Sequence, residues 1–301
     1  MKKKSPSPTI VSISALHQMM DLKKPTHPLV SVIDLREVYG RAEKIEQSLA
    51  YNFYSIAIKK NFEGKLRYGQ QYYDFDEGVM VFIAPQQVMH FDVSTLPQVE
   101  GQMLIVHPDF FKNYPLATTI RSYGFFSYAT NEALHLSEVE EQLITNMMTN
   151  IHREIVSSID AFTQDLIVSH IDLLLKYCNR FYHRQFITRK VVNDDLLIKL
   201  EDQLNAYFNE KRGLPTVQYL ASQLNVSPNY LSDMLRALTG QSTQQHIQSR
   251  VIERAKEMLS TTDLSVSEIA YALGFDYPQS FHRLFKNLTK TSPLEYRNSF
   301  N

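Results

Sequence analysis

Hydrophobic residues follow two different spacings along this chain. Before residue 107 they come in short runs rich in Val, Ile, Tyr and Phe, separated by turn signals such as Asp-Glu-Gly and Ala-Pro. These runs are LVSVIDL, YNFYSIAIKK, GKLRYGQQYYDF and VMVFIAPQQVMHF, followed by QMLIV at residues 102–106. Short β-prone runs at intervals of about ten residues predict a small antiparallel barrel or sandwich. A short helix is predicted near residues 14–21, and a loop with short helical pieces over residues 108–128.

Residues 137–186 show the three- to four-residue spacing of amphipathic helices. The pattern predicts two helices divided near Ser157 and Ser158. The apolar positions are Val139, Leu143, Met147 and Ile151 on the first helix, and Ile159, Phe162, Leu166, Ile167, His170, Ile171, Leu174 and Leu175 on the second. The second face is wider than a small barrel needs to cover, which favours a homodimer interface. Packing of this face on its own barrel is the alternative.

The region after Asn193 is predicted to be helical and contains an internal repeat. The segment ASQLNVSPNYLSDMLR (221–236) aligns with AYALGFDYPQSFHRLFK (270–286) when one extra residue is allowed in the second turn. The matched pairs are Ala221 with Ala270, Leu224 with Leu273, Val226 with Phe275, Leu231 with Phe281, and Leu235 with Phe285. Each copy has a helix, a turn carrying Asn225 or Gly274, a helix N-cap at Ser227 or Asp276, and a second helix. The sequence therefore predicts two helix-turn-helix units.

The second helix of each copy keeps a polar face that packing within the copy does not require. This face carries Asn229, Ser232, Asp233 and Arg236 in the first copy, and Gln279, His282, Arg283 and Lys286 in the second. The apolar face of the second copy is predicted to consist of Phe281, Leu284, Phe285 and Leu288. Residues 243–260 are predicted to form a connecting helix of about 25 Å. Such a helix can hold two polar faces about one DNA turn, roughly 34 Å, apart, which favours DNA binding over a plain helical bundle.

Composition limits the remaining possibilities. A chain of 301 residues favours two domains, and a net charge of −1 means that any nucleic-acid contact must rest on locally placed cations. Cys178 is the only cysteine, which excludes an intramolecular disulfide and fits a reducing compartment. The longest apolar run, VMVFIAP, is far shorter than the roughly 18 residues of a membrane span. Since the start MKKK is followed by Ser, Pro and Thr rather than an apolar segment, a cytoplasmic location without a membrane partner is expected.

Residues 263–297, DLSVSEIAYALGFDYPQSFHRLFKNLTKTSPLEYR, closely resemble the signature of the AraC/XylS family of transcription regulators. Residues 214–242, LPTVQYLASQLNVSPNYLSDMLRALTGQS, resemble the first DNA-binding unit of that family. The resemblance implies double-stranded DNA as a partner and a cupin-like sensing and dimerisation domain in the N-terminal part. It implies base contacts at Asn229, Ser232, Asp233, Gln279, His282 and Arg283. Phosphate contacts are expected at Arg236 and Lys286 and at the helix N-termini marked by Ser227 and Asp276.

One residue departs from the family pattern. Asp233 stands in the first recognition helix, where many members carry a cation or Gln, and a carboxylate near phosphates is unfavourable unless it accepts a hydrogen bond. Residues 213–301 hold eight Lys and Arg against seven Asp and Glu, a balance of +1. Weak DNA binding by one monomer is therefore predicted, so that homodimerisation through residues 159–186 contributes much of the affinity.

Two alternatives belong to other classes of function. A cupin-fold metal enzyme would need clustered ligands, but the ten His are scattered, without H-x-H or H-E-x-x-H, and the nearest pair is His90-Phe91-Asp92. Accordingly, no catalytic residue, metal or cofactor is expected. A ligand-independent DNA-binding assembly protein is the other alternative, in which the aromatic residues of the strands only fill a core.

The predicted fold class is α+β, with a cupin-like sensing or assembly domain at residues 1–134 and a helical dimerisation segment with linker at 135–190. An all-α DNA-binding domain with two helix-turn-helix units follows at 191–301. The predicted function is a dimeric, sequence-specific DNA-binding transcription regulator. A small-molecule effector in the barrel and RNA polymerase are further expected partners, while the operator sequence and the sign of regulation stay open.

Overall fold

A computed structural model describes residues 9–39, 48–60, 67–68, 71–72, 78–90, 100–129, 132–157, 160–209 and 213–300. The chain divides into two units, residues 1–185 and residues 186–301. The strands are β1 (Thr9–Ile10), β2 (Val30–Asp34), β3 (Ser48–Tyr51), β4 (Tyr54–Lys60), β5 (Arg67–Tyr68), β6 (Gln71–Tyr72), β7 (Val79–Ile83), β8 (Val88–His90), β9 (Glu100–Val106) and β10 (Leu134–His135).

The α-helices, in chain order, are α1 (Ile13–Met19), α2 (Leu35–Tyr39), α3 (Leu116–Thr119), α4 (Glu138–Val156), α5 (Thr163–Thr188), α6 (Lys190–Asn209), α7 (Val217–Gln223), α8 (Pro228–Thr239), α9 (Thr243–Thr261), α10 (Val266–Ala272), α11 (Pro278–Thr289) and α12 (Pro293–Asn298). Short 3-10 helices occupy Pro108–Phe110, Ile120–Ser122 and Gly124–Ser127, within the loop predicted to contain helical pieces. None of the helices in the described ranges has the length and apolar character needed to cross a bilayer.

The central sheet of the first unit has five strands in the order β10-β7-β4-β9-β2, and every neighbouring pair is antiparallel. Its middle strand, β4, is buried from Tyr54 to Ile58, so both of its faces are covered. Ile56 lies opposite Phe82 of β7 and Leu104 of β9, which gives one apolar face with the period of two that strands require. The runs VSVID, YSIAIKK, VMVFI and QMLIV are thereby confirmed as strands.

One face of this sheet packs against α1. The cluster on this face comprises Ile10, Ile13, Leu16, Met20, Ile33, Val38, Tyr51, Phe53 and Ile105. Ser12 caps α1 by accepting a 3.1 Å hydrogen bond from the backbone N of Ala15. His17 of α1 is buried, with Nδ1 2.6 Å from the carbonyl O of Lys23 and Nε2 3.1 Å from Oγ of Ser31 in β2. Both ring nitrogens are therefore satisfied, and the histidine ties α1 to the sheet.

The opposite face packs against α5 through aromatic rings and sulfur. The Phe82 ring lies 4.5 Å from that of Phe125, and Phe125 stacks on Tyr182 of α5 at 5.5 Å. Cys178 of α5 is fully buried with its Sγ 3.7 Å from Sδ of Met80. Since burial disfavours the thiolate, the pKa of Cys178 is raised well above its ordinary value, and the thiol acts as a small apolar side chain.

The remaining described strands form two smaller sheets. Strands β1, β3 and β8 make a three-stranded sheet in which β1 and β3 are parallel, and β5 pairs with β6. The described residues thus form three separate sheets and do not close a barrel. The mixed helix-and-sheet class is confirmed, whereas the cupin-like barrel stays a prediction.

The predicted apolar faces of α4 and α5 were partly wrong. On α4 the buried residues are Ile144, Met148, Ile151 and Ile155, whereas Val139 is 79% exposed. The α4 sequence supports two overlapping spacings of apolar residues, and contact with the sheet selects the second. Helix α5 begins at Thr163 rather than near Ser158, because the Asp160 carboxylate accepts 2.9 Å bonds from the backbone N of Phe162 and Thr163. Phe162 therefore precedes α5 and is exposed.

Most of the wide apolar face of α5 is used within its own unit. Its buried residues from 167 to 182 are Ile167, Val168, Ile171, Leu174, Leu175, Cys178, Phe181 and Tyr182. Phe162, Leu166 and Leu173, at spacings of four and seven, are 68%, 46% and 44% exposed. The alternative of packing on its own sheet thus accounts for the larger part of this face, and a narrow apolar stripe remains at the surface.

Candidate nucleic-acid interface

The first helix-turn-helix unit consists of α7, a turn and α8. Thr216 caps α7 and Ser227 caps α8, each by accepting a bond from the backbone N three residues later, at 3.1 and 3.2 Å. Asn225 in the turn has φ +55°, a conformation that Asn tolerates better than most residues. Ala221 is 1% exposed, and its carbonyl accepts a 3.0 Å bond from the backbone N of Val226. The small residue lets α8 cross close above α7, as the sequence predicted.

The second unit repeats this arrangement in α10 and α11. Gly274 takes the place of Asn225 with φ +88°, and the backbone N of Phe275 donates to the carbonyl of Ala270 at 3.0 Å. Ala270, Phe281 and Phe285 are fully buried, as their counterparts in the first unit are. The predicted internal repeat is therefore present in the structure.

Two predicted positions in the second unit are wrong. The N-cap of α11 is Tyr277, not Asp276, and no side chain bonds to the helix end there. Pro278 occupies the first helical position, which its fixed φ favours, so the N-cap falls on Tyr277, one residue after Asp276. Leu288, predicted on the apolar face of α11, is 48% exposed. Asp276 therefore does not mark the helix N-terminus, and its expected phosphate contact loses that basis.

Helix α9 connects the two units, at the position the sequence predicted. Ser242 and Gln245 form a capping box at its start, and its buried residues include Ile247, Val251, Ile252, Ala255 and Leu259. Glu201 of α6 binds α9 through Oε1, 2.6 Å from Nε2 of His246, and through Oε2, which accepts a 2.7 Å bond from Nε of Arg250. Hydrogen bonds to Glu253 and Glu201 raise the pKa of Arg250, so its charge is compensated by two carboxylates of the protein.

The polar face of α8 is partly engaged within the protein. Ser232 is half-buried and donates a 3.0 Å bond to Oγ1 of Thr243, the first residue of α9. Arg236 donates to Asp233 at 2.8 Å within the same helix. Asn229 is exposed and has contacts of its own. These residues do share one helix, but two of the predicted base contacts begin from internal hydrogen bonds.

The polar face of α11 differs from that of α8. Gln279, His282, Arg283 and Lys286 are all exposed. In the described part of the chain, none of these four side chains takes part in a hydrogen bond or ion pair, and Arg283 pairs neither with Glu268 nor with Asp276. Glu268 instead completes a capping box with Ser265 at the start of α10. The α11 face is therefore available to an external partner.

The cations of residues 213–300 follow the same division. Those with internal partners are Arg236, Arg250, Arg254, Lys256, Lys290 and Arg297, through carboxylates, backbone carbonyls or the Tyr296 ring. Arg297, for example, donates to the carbonyls of Leu259 at 3.2 Å and Leu264 at 2.6 Å. Among the described residues of this range, Arg283 and Lys286 are the two cations without a hydrogen bond, ion pair or ring contact of this kind, although Lys286 is near enough to Glu295 to lower the pKa of that carboxyl.

Residues 220–299 match a protein family described as a helix-turn-helix domain. An uncharacterized HTH-type transcriptional regulator of Staphylococcus aureus is 27% identical over 170 residues, covering 54% of this chain and 22% of its own length. The Escherichia coli HTH-type regulator YijO, also uncharacterized, is 35% identical over 85 residues, 28% of this chain and 30% of its own. This chain thus spans about a fifth to a third of the length of these two curated relatives.

Among solved structures, a Chromobacterium violaceum transcriptional regulator of the AraC-type DNA-binding domain-containing proteins covers 36% of this chain and 96% of its own, with 20% identity and a TM-score of 0.33. The C-terminal unit carries an AraC-type helix-turn-helix domain. The family match over residues 220–299 confirms the resemblance inferred from residues 214–242 and 263–297.

Sequence reasoning missed three features of the AraC-type domain. The ties from Glu201 to His246 and Arg250 join residues more than 40 positions apart, which no local pattern indicates. The Ser232–Thr243 hydrogen bond was missed for a similar reason, since it joins two separate helices, α8 and α9. The position of Tyr277 could have been found, because Pro228 follows the Ser227 cap and Pro278 follows Tyr277 in the same way.

The metal-enzyme alternative finds no support in the described ranges. No group of three or more His, Cys, Asp or Glu side chains in them is placed to hold a metal ion. Phe91 and Asp92 of the His90-Phe91-Asp92 sequence lie outside the described residues.

Proposed function

We propose that this protein is a sequence-specific DNA-binding transcription regulator whose AraC-type domain inserts α8 and α11 into neighbouring segments of the major groove. The observation that carries the proposal is the exposed α11 face, on which Arg283 and Lys286 make no internal hydrogen bond or ion pair in the described ranges. Helix α9, with 19 residues, is roughly 28 Å long, close to one turn of DNA. The name HTH-type transcriptional regulator, given to both relatives, supports the same function.

The proposed roles of the α11 residues follow from their chemistry. Arg283 can pair with O6 and N7 of guanine, Gln279 with N6 and N7 of adenine, and His282 with a neighbouring base edge. Lys286, a flexible point charge near the end of α11, is assigned to a phosphate.

The first helix-turn-helix unit is proposed to make fewer direct contacts with DNA than the second. Asn229 meets a base edge, while the backbone amides at the Ser227 cap meet a phosphate. Ser232 and Asp233 reach bases only by exchanging their bonds to Thr243 and Arg236, and Arg236 reaches a phosphate only when Asp233 releases it. RNA polymerase is a proposed further partner, as for any regulator that acts at a promoter.

Selection of bound DNA from a random pool by the full chain tests this function. Two short enriched sequences about ten base pairs apart are expected, because that is the spacing of successive major-groove segments on one side of the duplex. A pool that stays unenriched, or enrichment of a single short sequence, would contradict the proposal.

The exposed stripe of Phe162, Leu166 and Leu173 supports a homodimer through α5. Leu166 and Leu173, seven residues apart, lie on one face of α5, and Phe162 directly precedes the helix. Such an exposed apolar stripe is stabilised in water when a second copy covers it. A dimer would also compensate for the modest charge of the AraC-type domain, because two linked domains bind DNA more tightly than one. The proposed division is a cupin-like domain at 1–134, a dimerisation segment at 135–190 and the DNA-binding domain at 191–301.

Sedimentation equilibrium of the full chain tests the dimer. The Leu166→Glu/Leu173→Glu variant is expected to sediment as a monomer, while Val139→Glu, which alters an exposed apolar residue of α4, is expected to stay dimeric. Equal masses for the two variants would contradict an interface on α5.

A small-molecule effector bound within residues 1–185 is supported by one side chain. Ser55, the second residue of β4, is 1% exposed, and its hydroxyl has no hydrogen-bond partner among the described residues. A buried hydroxyl without a partner costs about 1–3 kcal/mol, which a bound polar molecule would relieve. Native mass spectrometry of the purified protein should reveal a co-purifying small molecule that Ser55→Ala lacks. A bare protein mass for the wild type would count against it.

A further inference from the structure

A short segment between α6 and α7 lies directly against the turn of the second helix-turn-helix unit. The backbone of Gly213 packs on Gly274, and a Cβ added to Gly274 would overlap Gly213 and lie 2.6 Å from the backbone N of Leu214. Gly213 and Gly274 have φ values of +92° and +88°. The three atoms nearest to such a Cβ all belong to the backbone, so rotation of a side chain cannot relieve the overlap.

This segment, residues 213–216, is also fixed to the first helix-turn-helix unit. Thr216 caps α7 with its hydroxyl, and Pro215 is buried. The Tyr207 hydroxyl of α6 donates to the carbonyl of Leu214 at 3.4 Å, and its ring lies 5.0 Å from that of Tyr219 in α7. Residues 213–216 therefore hold a defined position at the start of the first helix-turn-helix unit, and the backbone of Gly213 and Leu214 lies against Gly274 in the second.

This contact acts close to α11. Pro278, the first residue of α11, follows Gly274 by four positions, so a displacement of the turn carries the start of the helix with it. The two units are joined along the chain by α9, and the Gly213–Gly274 contact is a second connection between them. Helix α9 also packs against α8, α10 and α11, so the Gly213–Gly274 contact adds a restraint on the relative orientation of the two helix-turn-helix units at a separate point.

We infer that the backbone contact between Gly213 and Gly274 sets the spacing of the two DNA sequences that α8 and α11 bind. This inference rests on the proposed function and adds a positioning role for two residues that touch no DNA. In the Gly274→Ala variant, the added Cβ must move from 2.6 Å to at least the 3.4 Å of ordinary contact with Leu214, a shift of 0.8 Å or more at the turn. The α11 helix then meets the duplex at a changed position, while its own side chains stay the same.

The test uses the two sequences selected by the full-length wild type, placed in duplexes whose spacer is lengthened or shortened by one and two base pairs. The wild type is expected to prefer one spacer, losing about tenfold in affinity for each base pair of change, because misplaced base contacts are lost. Gly274→Ala is expected to prefer a different spacer or to bind neighbouring spacers almost equally. Its base preference within each sequence should match that of the wild type, which a general loss of folding would not produce.

Gly240→Ala is the matched control. Gly240 ends α8 with φ +77°, but a Cβ added there has nothing within 4 Å, so the variant carries the backbone strain without the overlap. It is expected to keep the wild-type spacer. If circular dichroism shows that Gly274→Ala does not fold, Gly213→Ala replaces it. Its Cβ has room, 4.0 Å from Cα of Gly274, but Ala disfavours the φ of +92° at this position, so the strain acts on the backbone that contacts Gly274, whereas the strain in Gly240→Ala acts away from that contact.

The outcomes separate the two proposals. If the wild type enriches no sequence, the proposed function fails, and this inference fails with it. If the wild type prefers one spacer and the folded Gly274→Ala or Gly213→Ala variant keeps that preference unchanged, the positioning role alone is overturned. A changed spacer in Gly240→Ala of the same size would also overturn it, since strain without contact would then be sufficient.

Discussion

Arg236 and Asp233 form an ion pair within α8, with Nη1 of the arginine donating to Oδ1 of the aspartate at 2.8 Å. This pair explains how a carboxylate is tolerated in a helix that is expected to approach phosphates. Asp233 is half-buried, and its charge is compensated by the one cation of the same helix. The first recognition helix is therefore close to neutral, whereas α11 carries two cations that make no internal hydrogen bond or ion pair in the described ranges.

Removal of this carboxylate should tighten DNA binding. In Asp233→Asn the Arg236 guanidinium is released toward the phosphates, so the affinity should rise, and log K should fall more steeply with log salt by up to about 0.9. Titration of a labelled duplex over a range of salt concentrations measures both effects. Asp263→Asn, an exposed change of equal charge after α9, should leave the slope unchanged. A weaker complex for Asp233→Asn would indicate that the carboxylate itself contacts a base.

Replacing each of the two cations of α11 by Ala should change DNA binding in a different way. Arg283→Ala should cost about 1–3 kcal/mol on the best sequence and relax the preference at one base pair. Lys286→Ala should weaken binding to all sequences alike and reduce the salt slope by about 0.9. Binding of a panel of single-base variants of the selected DNA distinguishes these outcomes. Arg254→Ala, a change of equal charge on α9, is the control, and a base-specific effect of that variant would undermine the assignment.

The missing side-chain cap of α11 predicts a stabilising substitution. Tyr277 stands at the N-cap without a side-chain bond, whereas Ser227 caps α8 in the first unit. Tyr277→Ser should therefore raise the free energy of unfolding by about 1 kcal/mol, the usual value of an N-cap. The midpoint of urea unfolding measures the gain. Tyr277→Ala removes the same ring without adding an oxygen, so an equal gain in both variants would show that capping is not the cause.

Two capping-box carboxylates should make stability depend on pH. Bonds from Ser265 lower the pKa of Glu268, and bonds from Ser292 lower the pKa of Glu295, which the charges of Lys286 and His282 lower further. A carboxylate with a lowered pKa stabilises the fold above its unfolded value of about 4.3, and this contribution is lost as the pH falls through the folded pKa. Compared with wild type, Glu268→Gln/Glu295→Gln should lose less stability between about pH 5 and pH 3.

Urea unfolding at several pH values checks this expectation. Glu257→Gln, an exposed change on α9 outside any capping box, should follow the wild type. Parallel pH profiles for the wild type and the double variant would contradict the role of the two carboxylates.

The sequence was most informative where local chemistry determines the structure. Ala221 and Ala270 are small because helices cross above them, and Asn225 and Gly274 adopt positive φ, so both turns were recognisable from residue type alone. Ser227 was recognisable as a cap for the same reason. These features lie within a few residues of one another, which is why the repeat and the family signature could be found together.

Where contact between distant segments selects among local options, prediction failed. Val139 and Ile144 belong to two alternative apolar faces of α4, and only the partner sheet decides between them. The hydrogen bond between Ser232 and Thr243 depends on how α8 packs against α9. The Gly213–Gly274 contact depends on how the two helix-turn-helix units pack together. The residues predicted to contact bases therefore do lie on the predicted helices. Their spacing in the sequence could not show which of their side chains are already bonded within the protein.

Cys178 offers a practical advantage for spectroscopy. It is the only thiol of the chain, it is fully buried, and the raised pKa keeps it protonated under ordinary labelling conditions. A cysteine introduced on an exposed position can consequently take a maleimide fluorophore or spin label selectively, with the native residue left in place. Distances between two such labels, one on each recognition helix, would follow their separation in solution as duplex is added.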